Sequence, residues 1–302
     1  MTEQDDELTV DDEVIGERRH LMSLSFRMLG IVAEAEDAVQ ETYARWYRMS
    51  QPERDAIESP RGWLTRVAGR VCLDVLDSAR VRREAYVGPW LPESVPLHEV
   101  TPANVLDPLD RVTLDDTIST ALLLVLESMT PAERVSFVLH DVFAVSFDDI
   151  AEIVGRSAAA CRQLATSARR RMQSEGTREV SREHHDEVVR AFAAASQTGD
   201  IAALIAVLDP NVVLSSDGGG VVSAARRPVV GAENVARFLL GILAKRPDVE
   251  IVPQETNDGL GFLMWDEGCI FGVVNFGVTS EAESTVSDIW MLMNPNKLLN
   301  WG

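Results

Sequence analysis

Apolar residues recur at helical spacing through the first part of the chain. Leu21, Leu24 and Met28 make one stripe, and Ala35, Ala38, Val39, Thr42 and Trp46 make the next. Ser59-Pro60 is a helix-start signal; after it Trp63, Leu64, Val67, Val71 and Val75 share a face, with Arg66, Arg70 and Asp74 opposite. Residues 17 to 85 are therefore predicted to form a small all-α bundle. Between Tyr86 and Pro108 the period breaks, because prolines at 89, 92, 96, 102 and 108 cannot continue a helix. Residues 86 to 108 read as a linker. Its segment Tyr86-Val87-Gly88-Pro89-Trp90-Leu91-Pro92-Glu93 is too apolar for a solvated tether and is expected to dock on a neighbouring domain.

Helical spacing returns over residues 109 to 175. Thr130-Pro131-Ala132-Glu133 combines a capping threonine, a first-turn proline and a glutamate at the third position. Phe147, Ile150, Ala151 and Val154 then line a short helix ending at Gly155, and Ser157 can cap a second helix just after it, which is helix-turn-helix grammar. On that second helix Cys161, Leu164, Ala168 and Met172 are expected to face the core, leaving Arg162, Gln163, Thr166, Arg169 and Arg170 outside. Arginine grips guanine edges bidentately and glutamine reads adenine, so these residue types suit a helix that reads the major groove.

Residues 180 to 302 change character. Two helices over about 183 to 208 are predicted, then short strands with turns at Asp217-Gly218-Gly219-Gly220, Asn257-Asp258-Gly259 and Glu267-Gly268. A helix from about Glu233 to Lys245 precedes a meander of strands over 248–256, 260–265, 270–278 and 284–293. An α+β domain follows, and the fold class as a whole is multidomain: two all-α modules and one α+β module.

Composition changes the picture in three places. The formal net charge of −20 disfavours nucleic acid in sum. Screening acts within roughly 8 Å at physiological salt, however, so the basic groups Arg66, Arg70, Arg80, Arg82, Arg83 and Arg156, Arg162, Arg169, Arg170, Arg171 remain local phosphate-binding faces. The acidic first 16 residues are expected to be a disordered tail. The start is acidic rather than signal-like and no run of eighteen apolar residues occurs, so a cytoplasmic protein is expected. The cysteines, Cys72, Cys161 and Cys269, lie far apart and away from histidines, so reduced thiols are expected, with no metal and no cofactor.

Residues 17 to 175 resemble the extracytoplasmic-function sigma factors, whose helical regions two and four are joined by a linker. The most specific segments are Ala35-Glu36-Asp37-Ala38-Val39-Gln40-Glu41-Thr42-Tyr43-Ala44-Arg45-Trp46, similar to the family's polymerase-clamp segment, and Trp63-Leu64-Thr65-Arg66-Val67-Ala68, similar to the start of its promoter-melting helix. The resemblance implies an alternative sigma factor that binds core RNA polymerase and promoter DNA. Asp37, Gln40 and Glu41 would meet the polymerase's largest subunit; Arg66, Arg70, Asp74 and Arg80 would lie along the minus-ten element; Arg162, Gln163, Thr166, Arg169 and Arg170 would read the minus-thirty-five element. The alanine run Ala158-Ala159-Ala160 replaces larger residues often seen there, and Arg82 and Arg83 fit linker or phosphate contacts better than base reading.

The C-terminal element order resembles the SnoaL-like cone fold. Tyr86 to Glu93, Asp217 to Gly220 and Asn294-Pro295-Asn296-Lys297-Leu298 together resemble the sigma subfamily that carries such a domain. That resemblance implies regulation in cis without a separate anti-sigma factor. Tyr86, Trp90 and Leu91 would supply an apolar anchor, Gly218, Gly219 and Gly220 a close backbone approach, and Asn294-Pro295 a strand end from which Lys297 and Leu298 reach outward. Asn296 and Val221 depart from the motif, which more often has an acid and a lysine there, and both departures are expected to weaken a polar contact. Two rival readings remain. A one-component repressor with a ligand-sensing C-terminal domain explains the helix-turn-helix but not the segment Asp37 to Trp46 or the melting face. An enzyme would use Asp266, Asp288, His184 or His185 as general base, yet nothing in the sequence pairs them, and the two histidines read as exposed residues at a helix start.

Overall fold

Local signals set most helix ends in the structure, a computed structural model that describes residues 14–84, 86–96, 118–174 and 180–301, with the backbone alone for 79–84. The described residues fall into two compact units. One holds the described residues up to Arg82 and those from Val125 to Ser174; the other holds residues 83–84, 86–96 and 118–124 and those from 180 to 301. The described part of the linker, residues 86–96, therefore belongs with the C-terminal domain.

In the first unit, α1 (Arg18–Leu29) stops where Gly30 takes a left-handed φ of 71° and its N–H bonds Phe26 O at 2.8 Å. Then come α2 (Val32–Arg48), α3 (Gln51–Asp55), opened by a Ser50/Glu53 capping box, and α4 (Pro60–Glu84), which starts on its proline. Leu21, Leu24, Met28, Ala35, Ala38, Val39 and Trp46 are buried as the spacing predicts, and Trp46 meets Trp63 edge-on at 5.3 Å. Burying a tryptophan completely contributes about 4–6 kcal/mol by area before the entropy of ordering it. Two expectations change. The helical turn Val14–Gly16 belongs to the bundle rather than to the tail, since Val14 is fully buried and Tyr43 donates to its carbonyl; residues 1–13 lie outside the described residues. On α4 the buried stripe is Leu64, Ala68, Val71, Cys72 and Leu76, with Val67 and Val75 only half-buried, because the Gly69 side of the helix is covered too, by Leu139 and Ile153.

The helix-turn-helix module follows the predicted grammar. α5 (Thr120–Glu127) opens it, the expected residues 109–117 lying outside the described ones. α6 (Pro131–Phe137) begins with the capping box of Thr130 and Glu133 and runs into a π-helical turn over Val138–Val142. α7 (Phe147–Val154) is capped by Ser146 and ends at Gly155, φ 69°. α8 (Ala158–Ser174) buries Cys161, Ala165 and Ala168, while Leu164 and Met172 are half-buried.

The second unit places α9 (Arg182–Gln197), α10 (Ile201–Ala206) and α11 (Ala232–Lys245) with a six-stranded sheet. Its strands are β1 (Leu208–Asp217), β2 (Val229–Val230), β3 (Glu250–Thr256), β4 (Gly259–Asp266), β5 (Cys269–Val278) and β6 (Val286–Leu292), in the order β2-β1-β6-β5-β4-β3. β3 to β6 form the expected antiparallel meander. β1, however, lies parallel to β6, a pairing that requires a long crossover and finds it in the segment containing α11. Alternation gives the sheet two apolar faces. Phe262, Met264, Val274, Phe276, Ile289 and Met291 join the core that includes Val188, Phe192 and Val235 from the helices, whereas Leu263, Val273, Trp290 and Leu292 pack with Leu91 and Leu298. The linker and the last turns of the chain thus cover a sheet face that would otherwise be an apolar patch.

Candidate functional site

The face of α2 that carries the clamp-like segment is open. Asp37 and Gln40 are exposed, and Glu41 is half-exposed with an ion pair to Arg45 at 2.9 Å, the i, i+4 neighbour. Ala35, Ala38, Val39 and Thr42 fix that face by burying the opposite one, and Thr42 Oγ1 donates to Ala38 O. A contiguous polar face backed by a packed core is what a rigid protein partner can dock on.

The α4 arginines are already engaged within the same unit. Arg66 Nη1 donates to Asp149 Oδ1 at 2.7 Å, Arg70 Nη1 donates to Ile153 O at 2.6 Å, and Arg70 Nε lies 3.6 Å from Asp74. Bonds from Ser146 and Arg66 hold the Asp149 carboxyl below the usual carboxylate range. Asp149 and Ile153 belong to α7, so the helix-turn-helix module supplies the carboxylate and the carbonyl that these two arginines bind. Arg80, Arg82 and Arg83 continue α4, and their side chains lie outside the described ones.

On α8, Arg162, Gln163, Thr166 and Arg170 point to solvent, as a reading helix requires. Thr166 Oγ1 donates back to Arg162 O at 2.8 Å, and the Arg162 guanidinium stands 5.4 Å from the Phe147 ring. Arg169 differs from its neighbours: it is half-buried and makes a two-pronged bond to Asp141, at 2.7 and 3.1 Å. That geometry fits an arginine that fixes the π-helical turn against α8.

The three motif segments of the second unit converge on one carboxylate. Asp217, at the end of β1, is 1% exposed. Its Oδ1 accepts from Tyr86 Oη at 2.5 Å and from Gly219 N at 2.9 Å; its Oδ2 accepts from Leu91 N at 3.0 Å and from Lys297 Nζ at 2.7 Å. Lys297 also donates to Leu91 O at 2.5 Å and stands over the Trp90 ring at 4.2 Å. Burial, then the bond to Asp217, raises the Tyr86 phenol above its ordinary value. Asn294 donates to Tyr86 Oη at 2.9 Å, and Gly219, at φ 63°, lies so close that a Cβ would meet the Asn294 side chain at 2.5 Å. Gly218 is as tight, with Val222 O at 2.2 Å from such a Cβ, while Gly220 faces Val87. Pro295 opens a 3-10 turn, Pro295–Lys297, that brings the lysine back over β1.

Two expectations are corrected here. Lys297 and Leu298 do not reach outward: they are 5% and 8% exposed, because the turn folds them under the linker. The departures at Asn296 and Val221 sit on exposed residues, and the polar contact is made by Asp217, Asn294 and Lys297 instead.

Residues of the Asn257-Asp258-Gly259 turn and of the last 3-10 turn join this docking as well. Asn257 and Asp258, between β3 and β4, bind Val95, Ile118 and Thr120, while Asn300 and Trp301 donate to Glu93 and to Ser94 O. An Asn-Asp-Gly turn signals a hairpin equally well without partners, so its type alone gave no sign of this.

His185 is buried, contrary to the expected exposed position, with Nδ1 3.1 Å from Asp186 Oδ1 and Nε2 3.1 Å from Phe276 O. The cap of α9 is Ser181, His184 is half-buried beside it, Asp266 is bound to Arg246, and burial raises the Asp288 carboxyl. An open pocket beside α11 is walled by Ile205, Leu208, Pro210, Glu233 and Asn234, and by none of these four.

Comparison with known proteins agrees with this geometry. Residues 15–83 match the family model of Sigma-70 region 2, and residues 119–172 match that of Sigma-70 region 4. The chain is 42% identical over 233 residues to the ECF RNA polymerase sigma factor SigJ of Mycobacterium tuberculosis, covering 76% of this chain and 71% of that one. It is 38% identical over 285 residues to the probable ECF RNA polymerase sigma factor SigI of the same organism, covering 93% and 92%. The crystal structure of M. tuberculosis SigJ superposes with a TM-score of 0.75 at 34% identity, over 96% of this chain and 98% of that one, and fits the C-terminal domain as SnoaL-like. No helix among the described residues is long and apolar enough to cross a membrane. The chain belongs to the extracytoplasmic-function RNA polymerase sigma factors and is an alternative sigma factor that directs transcription initiation.

Proposed function

We propose that this sigma factor is controlled in cis by its SnoaL-like domain, which holds the linker through Asp217 and Lys297 and so stands in for a separate anti-sigma factor. The observation that carries this reading is the Asp217 carboxylate, which binds two linker groups, Tyr86 Oη and Leu91 N, together with Lys297 from the far end of the chain. A domain with only its own fold to maintain has no need of a buried ion pair aimed at a linker, since such a pair recovers its desolvation only when every partner is present.

In this reading Asp37, Gln40 and Glu41 meet the polymerase, Arg66, Arg70, Asp74 and Arg80 follow the opened minus-ten strand, and Arg162, Gln163, Thr166, Arg169 and Arg170 serve the minus-thirty-five element. Arg169 braces the reading helix, and the exposed Arg162 and Gln163 touch bases. The domain works by docking, without a catalytic step or a cofactor.

The test is run-off transcription with purified core polymerase at fixed salt. Asp37→Ala and Arg162→Ala should each abolish the specific start site, and Lys297→Met should change the yield per polymerase several-fold while leaving the start site in place. A yield indistinguishable from the parent protein, with the linker shown to be released, would sink the cis-regulatory part.

A further inference from the structure

We infer that the Asn257–Asp258 turn is a second lock on the linker, separate from the Asp217–Lys297 latch, and that it holds the first helix of region four by its N-terminus. The turn grips two stretches of chain that lie far apart in sequence. Asn257 N donates to Val95 O at 3.2 Å, its Oδ1 accepts from Val95 N at 3.1 Å, and its Nδ2 donates to Ile118 O at 3.0 Å. One side chain thereby joins the stretch leaving region two to the stretch entering region four. Beside it Pro96 bridges Thr256, extending the edge of the sheet by one residue of linker.

Asp258 completes the lock. Its Oδ1 accepts from Thr120 N at 2.6 Å and its Oδ2 from Thr120 Oγ1 at 2.5 Å. Thr120 is the first residue of α5, whose opening N–H groups have no partner within the helix and carry the positive end of its dipole, so a carboxylate from another element serves there as a cap in trans. Asn275, 2% exposed on the linker side of β5, draws the parts together: its Nδ2 faces Asp258 Oδ2, Ser94 Oγ at 3.0 Å and Thr120 Oγ1 at 3.2 Å. That orientation leaves Asn275 Oδ1 without a hydrogen-bond partner among the described residues. Ala121 and Leu124, one helical turn apart, add apolar contact with the cluster of Leu263, Val273 and Trp290. The arrangement satisfies the linker's polar groups ahead of the domain's own, which suits a docking surface better than a folding core.

The lock itself rests on geometry alone; its effect on transcription rests on the cis-regulatory reading above. The experiment uses the full chain, with hydrogen exchange read by mass spectrometry on peptides spanning 118–124 and 86–91, and run-off transcription in parallel. Asp258→Asn keeps the shape and removes the charge; Asn257→Ala removes the bridge. Thr120→Val alters only the linker side, so it remains informative if either of the others disturbs the sheet. Loss of a charge-assisted bond corresponds to about tenfold or more in local opening. Asp258→Asn and Thr120→Val should therefore speed exchange over 118–124 by about that factor and Asn257→Ala, which loses neutral bonds, by severalfold, all three leaving 86–91 and the β5 amides protected, whereas Lys297→Met should open 86–91 first. Unchanged exchange over 118–124, or opening of both segments together, would overturn the second lock. Faster exchange with unaltered transcription would keep the lock and overturn its part in regulation, while an unchanged yield from Lys297→Met as well would overturn cis regulation itself.

Discussion

At the scale of single residues, Asp217 and Lys297 are the groups on which the most depends. Both are almost wholly removed from water, and each satisfies more than one partner, so the pair offsets its desolvation only as a set. Removing the cation strands the carboxylate with Tyr86 and two backbone N–H groups as its remaining donors. Lys297→Met should therefore lower the stability of the C-terminal unit by about 3–5 kcal/mol, seen as an earlier urea midpoint in tryptophan fluorescence. Adding Asp217→Asn to Lys297→Met should recover part of the loss, because the stranded charge goes with it. A double variant less stable than Lys297→Met alone would mean that the carboxylate is held by Tyr86 and the backbone without need of the lysine.

Elements differ in how much of their geometry is local, and that decides what could be read ahead of the structure. The start of α6 needs only four consecutive residues: Thr130 Oγ1 accepts from Glu133 N at 3.3 Å while Glu133 Oε2 accepts from Thr130 N at 3.0 Å. The box is legible in the sequence for that reason, as are the Gly155 stop and the clamp-like face of α2. Thr130→Ala should cost about 1 kcal/mol, measurable as a lower melting temperature of the helix-turn-helix unit with its fold unchanged by circular dichroism. The parallel pairing of β1 with β6, in contrast, joins strands separated by most of the domain, and no local pattern distinguishes it from another hairpin. The same holds for the site. The motif segments around Tyr86, Asp217 and Asn294 were recognisable as partners, but the inward fold of Lys297 depends on the 3-10 turn after Asn294, and the role of Asn257 and Asp258 depends on which chain arrives at their edge of the sheet.

For the molecule as a sigma factor, the decisive tension lies within the first unit, where the proposed function gives two arginines a second partner. Arg66 and Arg70 are held by Asp149 and by Ile153 O, yet in the proposed function they face the opened minus-ten strand. Side chains about 40% exposed on one side and a third exposed on the other make an ion pair worth roughly 0.2–1 kcal/mol. A brake of that size is released easily by a polyanion, since counterion release from several phosphates exceeds it. Asp149→Asn should accordingly tighten binding of a single-stranded minus-ten oligonucleotide by up to about fivefold at low salt, the factor that 1 kcal/mol represents, with the gain fading as salt rises. Asp148→Asn supplies the control: it is exposed, sits on the same helix and carries the same charge change without the Arg66 contact. An equal gain from both variants would assign the effect to net charge alone. A gain confined to Asp149 would mean that the helix-turn-helix module competes with DNA for α4, as the proposed function of Arg66 and Arg70 requires.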